Sequence, residues 1–214
     1  MINDDIDLQE VSLKEFKVKP CTIQDIRPFT ESWHYSNNVN GLNVTQCFSL
    51  NYQNKIIGAI VYGRLGMANV WKKYTKDITE LVELKRLCCI NKTPKNTESY
   101  FISKTIKWLK QNTNINKIIS YADPYYDHEG IVYQASNFEY LGTTAPCKHI
   151  KFNDRLYHEK SIRNKYKGKL KPYAQRLRDA LERGDAIYIK TPGKHIYLYD
   201  LIRTKKEIKR GIIL

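Results

Sequence analysis

Residues 80–123 read ELVELKRLCCINKTPKNTESYFISKTIKWLKQNTNINKIISYAD, and three patterns follow one another in this stretch. The first, ELVELKRLCCI, places Leu, Val and Cys at alternate positions, which predicts a strand. The second has Asn96 as a candidate N-cap and apolar side chains at helical spacing up to Leu109, which predicts a helix. The third, KIISYAD at 117–123, is a short apolar run that is typical of a buried strand. We therefore expect a strand, a helix and a strand in direct succession.

The neighbouring segments extend this arrangement in both directions. EFKVKPC (15–21) alternates like a strand, a helix capped by Thr22 follows it, and residues 45–66 predict two strands joined by a QN turn. Downstream we predict a further helix and the strands FEYLGTT (138–144) and HIKFNDRLYH (149–158). Helices interleaved with a mostly antiparallel sheet predict an α+β fold.

The C-terminal part of the chain differs from the rest in charge. Residues 160–214 hold 16 Lys and Arg against 5 Asp and Glu, whereas residues 1–159 hold 20 against 17. Within this part, PYAQRLRDALERG (172–184) predicts a helix, and TPGK between AIYIK and HIYLY predicts a hairpin. We predict a catalytic domain over 1–159 and a basic helix-hairpin extension over 160–214. Such concentrated charge makes a polyphosphate the expected partner, with a solubilising tail as the alternative.

Composition excludes several classes of protein. The 214 residues are 42% hydrophobic, which is enough for a packed core, and no apolar run approaches the ~18 residues that span a bilayer. The polar N-terminus MINDDIDLQE is unlike a secretory signal. Five cysteines without CxxC spacing predict reduced thiols rather than disulfides or a zinc site. These features predict a cytoplasmic protein without a membrane partner.

The segment SYADPYYDHEGIVYQASNF (120–138) concentrates polar and aromatic side chains directly after a predicted strand. Asp123 ends the strand, Asp127 is placed to cap the next helix, and Glu129 and Tyr133 are four residues apart on one face of that helix. Because core packing does not require this mixture, we interpret Asp123 as a base or ligand and Tyr133 as a ligand. The alternative is a capped helix with packed tyrosines.

A second candidate site is WHYS (33–36), at the end of the first predicted helix. Histidine is the commonest metal ligand and the natural base near neutral pH. His34 and Tyr35 could hold a metal together with Asp123 and Tyr133, and this ligand set suits iron better than zinc. The alternative is a half-buried structural histidine.

A third candidate site lies in KTPKNTESYF, at the predicted start of the second helix. Asn96, Ser99 and Ser103 lie at or near a helix N-terminus, where free N–H groups favour an anion. Lys92 and Lys95 add positive charge. The alternative is a plain N-cap beside two solvated lysines.

The order of strands and helices resembles the acyltransferase fold of the GNAT superfamily. In that fold the fourth strand and the start of the following helix bracket the pyrophosphate of acyl-CoA, so the resemblance implies acetyl-CoA or a related donor. The usual Arg/Gln-x-x-Gly-x-Gly/Ala loop is replaced here by KTPKNTESYF, which departs from ordinary acetyl-CoA binding.

A narrower resemblance rests on an ordered series of motifs: ELKRL, PKNTESYFISKTIKWLK, ISYAD, the G-x-x-Y-Q-A-x-N-F of Gly130–Phe138, and GKHIYLYDL (193–201). Over about residues 30–205 this series resembles the Mom proteins of bacteriophages. The resemblance implies a GNAT-like transferase that converts adenine in DNA to N6-carbamoylmethyladenine and protects phage DNA from host restriction.

The same resemblance implies the site residues. It assigns catalytic roles to His34, Tyr35, Asp123 and Tyr133, the same four residues that ligand chemistry makes candidate iron ligands. It assigns donor binding to Ser99 or Ser103 and, in the early hairpin, to Tyr52 or Tyr62.

A DNA-modifying enzyme must contact phosphates and extrude its target base. The basic extension offers six predicted DNA contacts: Lys165, Lys167, Lys169, Arg176, Arg178 and Lys194. Four aromatic residues are candidates for stacking on the extruded adenine: Trp33, Tyr35, Tyr125 and Tyr126. Because the adenine amine is a poor nucleophile, a base such as Asp123 or His34 would assist the reaction.

The implied product leaves the donor open. Its nitrogen gains an alkyl carbon, whereas direct transfer from acetyl-CoA gives N-acetyladenine. Either a metal-assisted oxidation and rearrangement follows acyl transfer, or the donor is another small group, such as a glycine-derived one. Two other functions are compatible with the sequence: a GNAT-type N-acyltransferase for a protein or small amine, and a non-catalytic DNA-binding protein.

Overall fold

The computed structural model describes residues 6–202 of the chain. The strands in this range are β1 (Lys17–Cys21), β2 (Val44–Tyr52), β3 (Lys55–Gly63), β4 (Leu81–Cys89), β5 (Lys117–Ala122), β6 (Glu139–Thr143), β7 (Cys147–Phe152), β8 (Arg155–His158), β9 (Lys165–Tyr166), β10 (Lys169–Leu170), β11 (Ile187–Thr191) and β12 (His195–Asp200). The α-helices are α1 (Ile23–Trp33), α2 (Thr97–Asn112), α3 (Ile131–Ala135) and α4 (Pro172–Arg183). The predicted α+β class is confirmed.

Seven strands form the main sheet, in the order β1-β2-β3-β4-β5-β12-β6. Each of the strands β1 to β4 pairs antiparallel with the next one. A two-residue turn joins β2 to β3, and longer connections join β1 to β2 and β3 to β4. Strands β4 and β5 pair in parallel, and the intervening α2 is the crossover that parallel strands require.

The chain divides into two compact units. Among the described residues, the first unit comprises 6–122, Gly130–Gly142 and 196–202, and the second comprises Asp123–Glu129 and Thr143–His195. The predicted extension over 160–214 contributes β12 to the main sheet, and its residues 203–214 lie outside the described residues. A functional division at residue 159 stays a prediction.

Helix α1 begins where the sequence predicts. The Thr22 hydroxyl accepts the Asp25 N–H, and the Asp25 carboxylate accepts the Thr22 N–H at 2.8 Å, which forms a reciprocal capping box. Ile26 and Phe29 are buried in the core of the first unit. The cap and the buried face fix the position of the helix, and His34 is its C-cap residue.

Helix α2 presents an apolar stripe to the same core. Its buried residues are Thr97, Phe101, Ile102, Thr105, Ile106 and Leu109. Thr105 also satisfies a buried phenol, since its hydroxyl lies 2.7 Å from that of Tyr62 on β3. Asn96 is the N-cap residue as predicted, but it adopts a left-handed φ of 69° and its side chain makes no cap hydrogen bond.

The second unit contains the three-stranded sheet β11-β7-β8 and helix α4. Ile150 of β7 is fully buried in a small core with Leu177 and Ala180 of α4. Pro172 is the first residue of α4, and Gly184 ends it with a φ of 81°, as the sequence predicts.

Two strand predictions in this part of the chain are wrong. HIKFNDRLYH forms two strands, β7 and β8, because Asn153 and Asp154 adopt left-handed φ values and turn the chain. The TPGK segment does not close a hairpin between its flanking strands, because β11 pairs with β7 and β12 joins the main sheet.

One helix prediction is also wrong. Asp127 does not cap the next helix but ends a 3-10 turn, Pro124–Tyr126, that is capped by Asp123. Gly130 is the N-cap of α3, which starts only at Ile131, so Glu129 does not share a helical face with Tyr133. None of the helices among residues 6–202 combines the length and apolar composition that a membrane crossing needs.

Candidate active site

The first unit has a structural irregularity where β4 meets β5. The register described for these two strands ends at Leu84 and Ser120, whereas β4 continues along β3 to Cys89. On its other edge β4 carries one extra residue, Lys85, opposite the step from Val61 to Tyr62. Such bulges redirect side chains, and they occur often beside active sites.

The Tyr133 hydroxyl lies at this place. It is hydrogen-bonded to the side chain of the buried Ser120, whose hydroxyl also lies 3.2 Å from the Leu84 carbonyl. Burial raises the pKa of Tyr133 to about 12, and the hydrogen bond with Ser120 only partly offsets that effect. Tyr133 is therefore a neutral hydrogen-bond donor at physiological pH, not a phenolate.

The motif that contains Tyr133 has a packing explanation. Gly130 has a φ of 76°, and a Cβ atom added there would overlap the Tyr197 ring. The Gln134 amide donates to the Tyr197 hydroxyl at 3.0 Å, and the Tyr133 and Tyr197 rings lie 5.4 Å apart. The glycine, tyrosine and glutamine of this motif thus all serve one arrangement, which positions the Tyr133 phenol.

His34 and Tyr35 follow α1 in the same unit. The His34 ring is buried, lies 4.3 Å from the Tyr35 ring, and accepts the Ser36 N–H at Nδ1 at 3.1 Å. Since Nδ1 holds the lone pair, the proton of the neutral ring is on Nε2.

Arg86 on β4 joins these residues to the sheet. Its guanidinium donates to the Asn38 carbonyl at 3.2 Å and to the Lys85 carbonyl at 2.7 Å. Burial lowers the pKa of Arg86, and the nearby Tyr35 phenol and Glu83 carboxylate oppose that effect. Tyr35 also contributes to the raised pKa of Tyr133, so the three side chains share one electrostatic environment.

Asp123 belongs to the second unit, where both carboxylate oxygens have partners. Oδ1 accepts the Tyr125 N–H at 3.2 Å, and Oδ2 lies 2.8 Å from the Lys194 ammonium. Lys194 is held in place, because its N–H donates to the Thr144 hydroxyl and its carbonyl accepts the Thr144 N–H, each at 2.9 Å. The buried carboxylate therefore has a fixed orientation and a fixed counter-ion.

A group of histidines in the second unit was not predicted as a site. The Thr191 hydroxyl lies 3.0 Å from His149 Nδ1, and His158 Nε2 lies 3.4 Å from the Cys147 sulfur. Burial lowers the pKa of His149 and the charges of His158 and Lys194 contribute, so the imidazole is neutral at physiological pH. From the sequence these histidines are predicted only as strand or turn residues, because their proximity arises from the pairing of β7 with β8.

Comparison of the sequence with models of protein families gives a match. The model, described as the Mom protein family, matches residues 15–212. The chain belongs to the Mom protein family. A search of curated protein sequences found no significant match.

Solved structures show what this Mom family chain is similar to in fold. A point mutant of the SpeG spermidine N-acetyltransferase from Vibrio cholerae gives a TM-score of 0.51 at 8% identity, over 93% of this chain and 99% of that chain. A probable acetyltransferase from Staphylococcus epidermidis gives 0.49 at 10% identity, over 86% and 98%. An acetyltransferase from Bacillus subtilis in complex with CoA gives 0.48 at 12% identity, over 88% and 99%. The predicted acyltransferase fold is confirmed, and identities this low concern the fold alone.

The residues predicted to bind the donor lie on or near α2 and at the β2–β3 turn. The Ser99 hydroxyl donates to the Asn96 carbonyl at 3.0 Å, and the Ser103 hydroxyl donates to the Tyr100 carbonyl at 2.7 Å. Tyr52 ends β2, and its hydroxyl accepts from the Gln53 side chain at 3.2 Å. Tyr62, the alternative to Tyr52, is fully buried and cannot contact a ligand in this conformation.

The predicted DNA contacts fall into two groups. Lys165, Lys167, Lys169 and Arg176 are exposed on the β9–β10 hairpin and α4. Arg178 donates to the Ile162 carbonyl at 2.9 Å, and Lys194 pairs with Asp123. Of the predicted stacking residues, Tyr35, Tyr125 and Tyr126 are exposed, whereas Trp33 stacks on Phe29 at 6.1 Å.

The iron prediction finds no support in the structure. Within residues 6–202, no group of three or more His, Cys, Asp and Glu side chains has the arrangement of a metal site.

Several residues of the site were missed by sequence reasoning. Arg86 carried a usable signal, because it is one of three charged residues within a strand that otherwise consists of Leu, Val and Cys. Ser120 and Tyr197 carried none, since their contacts with Tyr133 join segments that are distant in sequence.

Proposed function

We propose that the chain is a transferase that modifies the N6 amine of adenine in DNA to N6-carbamoylmethyladenine. The observation that carries this proposal is the match of the Mom family model to residues 15–212, on a chain with an acetyltransferase-type fold. The modification would act in the cytoplasm of a bacterial host and protect phage DNA from restriction.

We infer that the donor is an acyl-CoA or another small-group donor that binds where β4 and β5 end their pairing. The start of α2 supports an anionic arm, because Lys92 and Lys95 precede the first helical residue, Thr97. NKTPKN stands where ordinary acyltransferases have a glycine-rich loop. Its two lysines would bind a phosphate of the donor by charge. When bound, an acyl-CoA would supply an acyl carbon and release CoA, so the carbamoylmethyl product needs either a later oxidation and rearrangement or a donor that supplies the alkyl carbon directly.

The side chains of the first unit have roles in positioning within this proposal. Tyr35 is 44% exposed and offers a ring for stacking on the extruded adenine. Tyr133 donates a hydrogen bond from a neutral phenol, and Arg86 holds the loop that carries Tyr35. The assignment of Asp123 as the base that removes the amine proton is kept from the sequence as part of this proposal, and in the second unit its carboxylate is fixed by Lys194.

The test is the mass of deoxyadenosine from modified DNA. The chain is expressed in bacteria with a plasmid, the plasmid is digested to nucleosides, and the deoxyadenosines are weighed by mass spectrometry. We expect a second, heavier deoxyadenosine that carries the carbamoylmethyl group and is absent from cells with an empty vector. Soluble, folded protein with deoxyadenosine of unchanged mass would contradict the proposal.

A second arm separates DNA modification from amine acylation. The purified chain is incubated with acetyl-CoA and a polyamine in the absence of DNA, and release of free CoA is followed. We expect no turnover above the uncatalysed rate. Turnover without DNA would instead indicate an N-acyltransferase for a small amine.

A further inference from the structure

Two lysines of the second unit lie directly opposite each other on neighbouring strands. Lys148 of β7 pairs with Lys190 of β11 in the antiparallel register, and both side chains are exposed. Like charges at directly opposed positions destabilise a strand pair. In the described part of the chain no Asp or Glu forms an ion pair with either lysine. An anion bound between the two ammonium groups would remove this repulsion.

An aromatic ring completes the surface. Tyr188 is two residues from Lys190 and therefore on the same face of β11, and it is 44% exposed. The Lys148 ammonium lies 4.0 Å from the centre of the Tyr188 ring. This distance is within the range of cation–π attraction, so the lysine and the ring form one preassembled group.

The same residues line a shallow surface cavity. Its volume is about 370 Å³, and its lining consists of Pro146, Cys147, Lys148, Tyr188, Ile189 and Lys190. A positive groove beside an exposed aromatic ring is the combination that single-stranded nucleic acid requires, because phosphate binds the cations and a base stacks on the ring.

A second lysine–tyrosine pair occurs in the same unit. Tyr166 of the β9–β10 hairpin is 67% exposed, and the Lys167 ammonium lies 5.6 Å from the centre of its ring. The unit as a whole holds fourteen Lys and Arg against eight Asp and Glu. Both observations favour an extended polyanion with bases over an isolated phosphate.

We propose that Lys148, Lys190 and Tyr188 form a binding site for a DNA strand, with a phosphate between the two ammonium groups and a base on the tyrosine ring. Its assignment to DNA rests on the proposed function. The site is separate from the six basic residues that the sequence singled out, four of which lie on other elements of this unit.

The test is DNA binding by the full chain, measured as fluorescence anisotropy of labelled single-stranded and duplex oligonucleotides between 50 and 200 mM salt. Lys148→Gln/Lys190→Gln should weaken binding at low salt and reduce the slope of log affinity against log salt by roughly 0.7–0.9, because the contact with one phosphate is lost. Tyr188→Ala should weaken binding about tenfold, whereas Tyr188→Phe should retain it.

A matched control exists in the first unit. Lys104 lies over the Tyr100 ring at 5.0 Å, and Lys107 is on the same helix, so Lys104→Gln/Lys107→Gln removes the same charge beside a similar ring. We expect the salt slope of this control to stay near that of the wild type. Thermal unfolding provides a check on folding, and Lys190→Gln should leave the protein as stable as the wild type or more so, since it removes the repulsion.

Three outcomes would overturn the inference. One is a salt slope unchanged by Lys148→Gln/Lys190→Gln, and another is an equal loss in the control from α2. The third is that the double substitution weakens the binding of inorganic phosphate or of phosphatidylglycerol vesicles more than it weakens the binding of DNA. The proposed function can fail independently of this site. If the deoxyadenosine mass is unchanged but DNA binding depends on Lys148 and Lys190, the proposed enzymatic activity is contradicted and the binding site is supported.

Discussion

At Gly130 the Tyr197 ring leaves room for a hydrogen atom only. A Cβ atom added there would overlap the ring, and the φ of 76° disfavours any other residue. We therefore predict that Gly130→Ala lowers the free energy of unfolding by about 2–4 kcal/mol, measured by urea denaturation. Gly66→Ala is the control, since no atom lies within 4 Å of the added Cβ atom and its φ is not left-handed. Equal stability of the two variants would refute this packing.

The phenol of Tyr133 should make stability depend on alkaline pH. Its pKa is raised to about 12 by burial, above the ~10 of an unfolded tyrosine. Between pH ~10 and 12 the folded protein keeps the phenol proton, whereas the unfolded chain loses it. The contribution of Tyr133 to the free energy of unfolding is therefore complete below pH ~10 and is lost as the pH rises toward 12.

The corresponding measurement is the free energy of unfolding against pH. Tyr133→Phe should reduce the decline between pH 10 and 12 by roughly 1.4 kcal/mol per pH unit, the value for one proton. It should also cost about 1 kcal/mol at neutral pH through the lost hydrogen bond to Ser120. An unchanged pH dependence would show that the phenol is solvated.

The Asp123–Lys194 pair should be energetically coupled. Removing Lys194 leaves a buried carboxylate without its counter-ion, whereas removing both partners does not. A double-mutant cycle with Asp123→Asn and Lys194→Gln should give a coupling energy of about 1–2 kcal/mol. The exposed Arg183–Asp185 pair, at 2.8 Å, is the control and should give a coupling energy near zero. Similar values for both pairs would contradict a buried, structured role for Asp123.

At the scale of elements, β7 and β8 bring a cysteine and a histidine together. His158 accepts the Lys160 N–H at Nδ1, so its Nε2 carries the proton and donates to the Cys147 sulfur at 3.4 Å. All five cysteines are free. Burial raises the pKa of the other four thiols, to about 11 for Cys21 and about 12 for Cys47 and Cys88, and well above its usual value for Cys89.

We therefore predict that iodoacetamide at pH 8 alkylates Cys147 before the other cysteines, because the thiolate is the reactive form and burial raises the pKa of the other four thiols. Peptide mapping by mass spectrometry gives the order of labelling, with urea-unfolded protein as the reference in which all five react alike. Labelling that starts at Cys21 or at Cys89 would contradict this order.

The elements also show where sequence patterns stop being informative. Strands β2 to β5 and helices α1 and α2 follow from local periodicity and from caps such as Thr22. The β7–β8 turn was missed because Asn153 and Asp154 lie within a run of strand-forming residues, and only their left-handed φ values separate two strands. TPGK looks like a hairpin turn locally, but strand pairing with distant residues separates its two flanks.

For the whole molecule, the sequence predicts the fold class because the order of strands and helices suffices for it. The sequence does not predict how the polar groups pair, since Tyr133 with Ser120 and Lys194 with Asp123 are contacts across many residues. The charge asymmetry of the chain is visible from composition, but the Lys148–Lys190 pair depends on the register of β7 and β11. The roles of Asp123 and His34 in the reaction stay predictions.

The most direct test of the proposed reaction is the mass of deoxyadenosine in plasmid DNA from cells that express the wild type or Asp123→Ala. We expect a heavier, carbamoylmethylated deoxyadenosine with the wild type. With Asp123→Ala this species should disappear while the purified variant still binds DNA. Deoxyadenosine of unchanged mass with folded wild type, or full modification by Asp123→Ala, would contradict the proposed reaction.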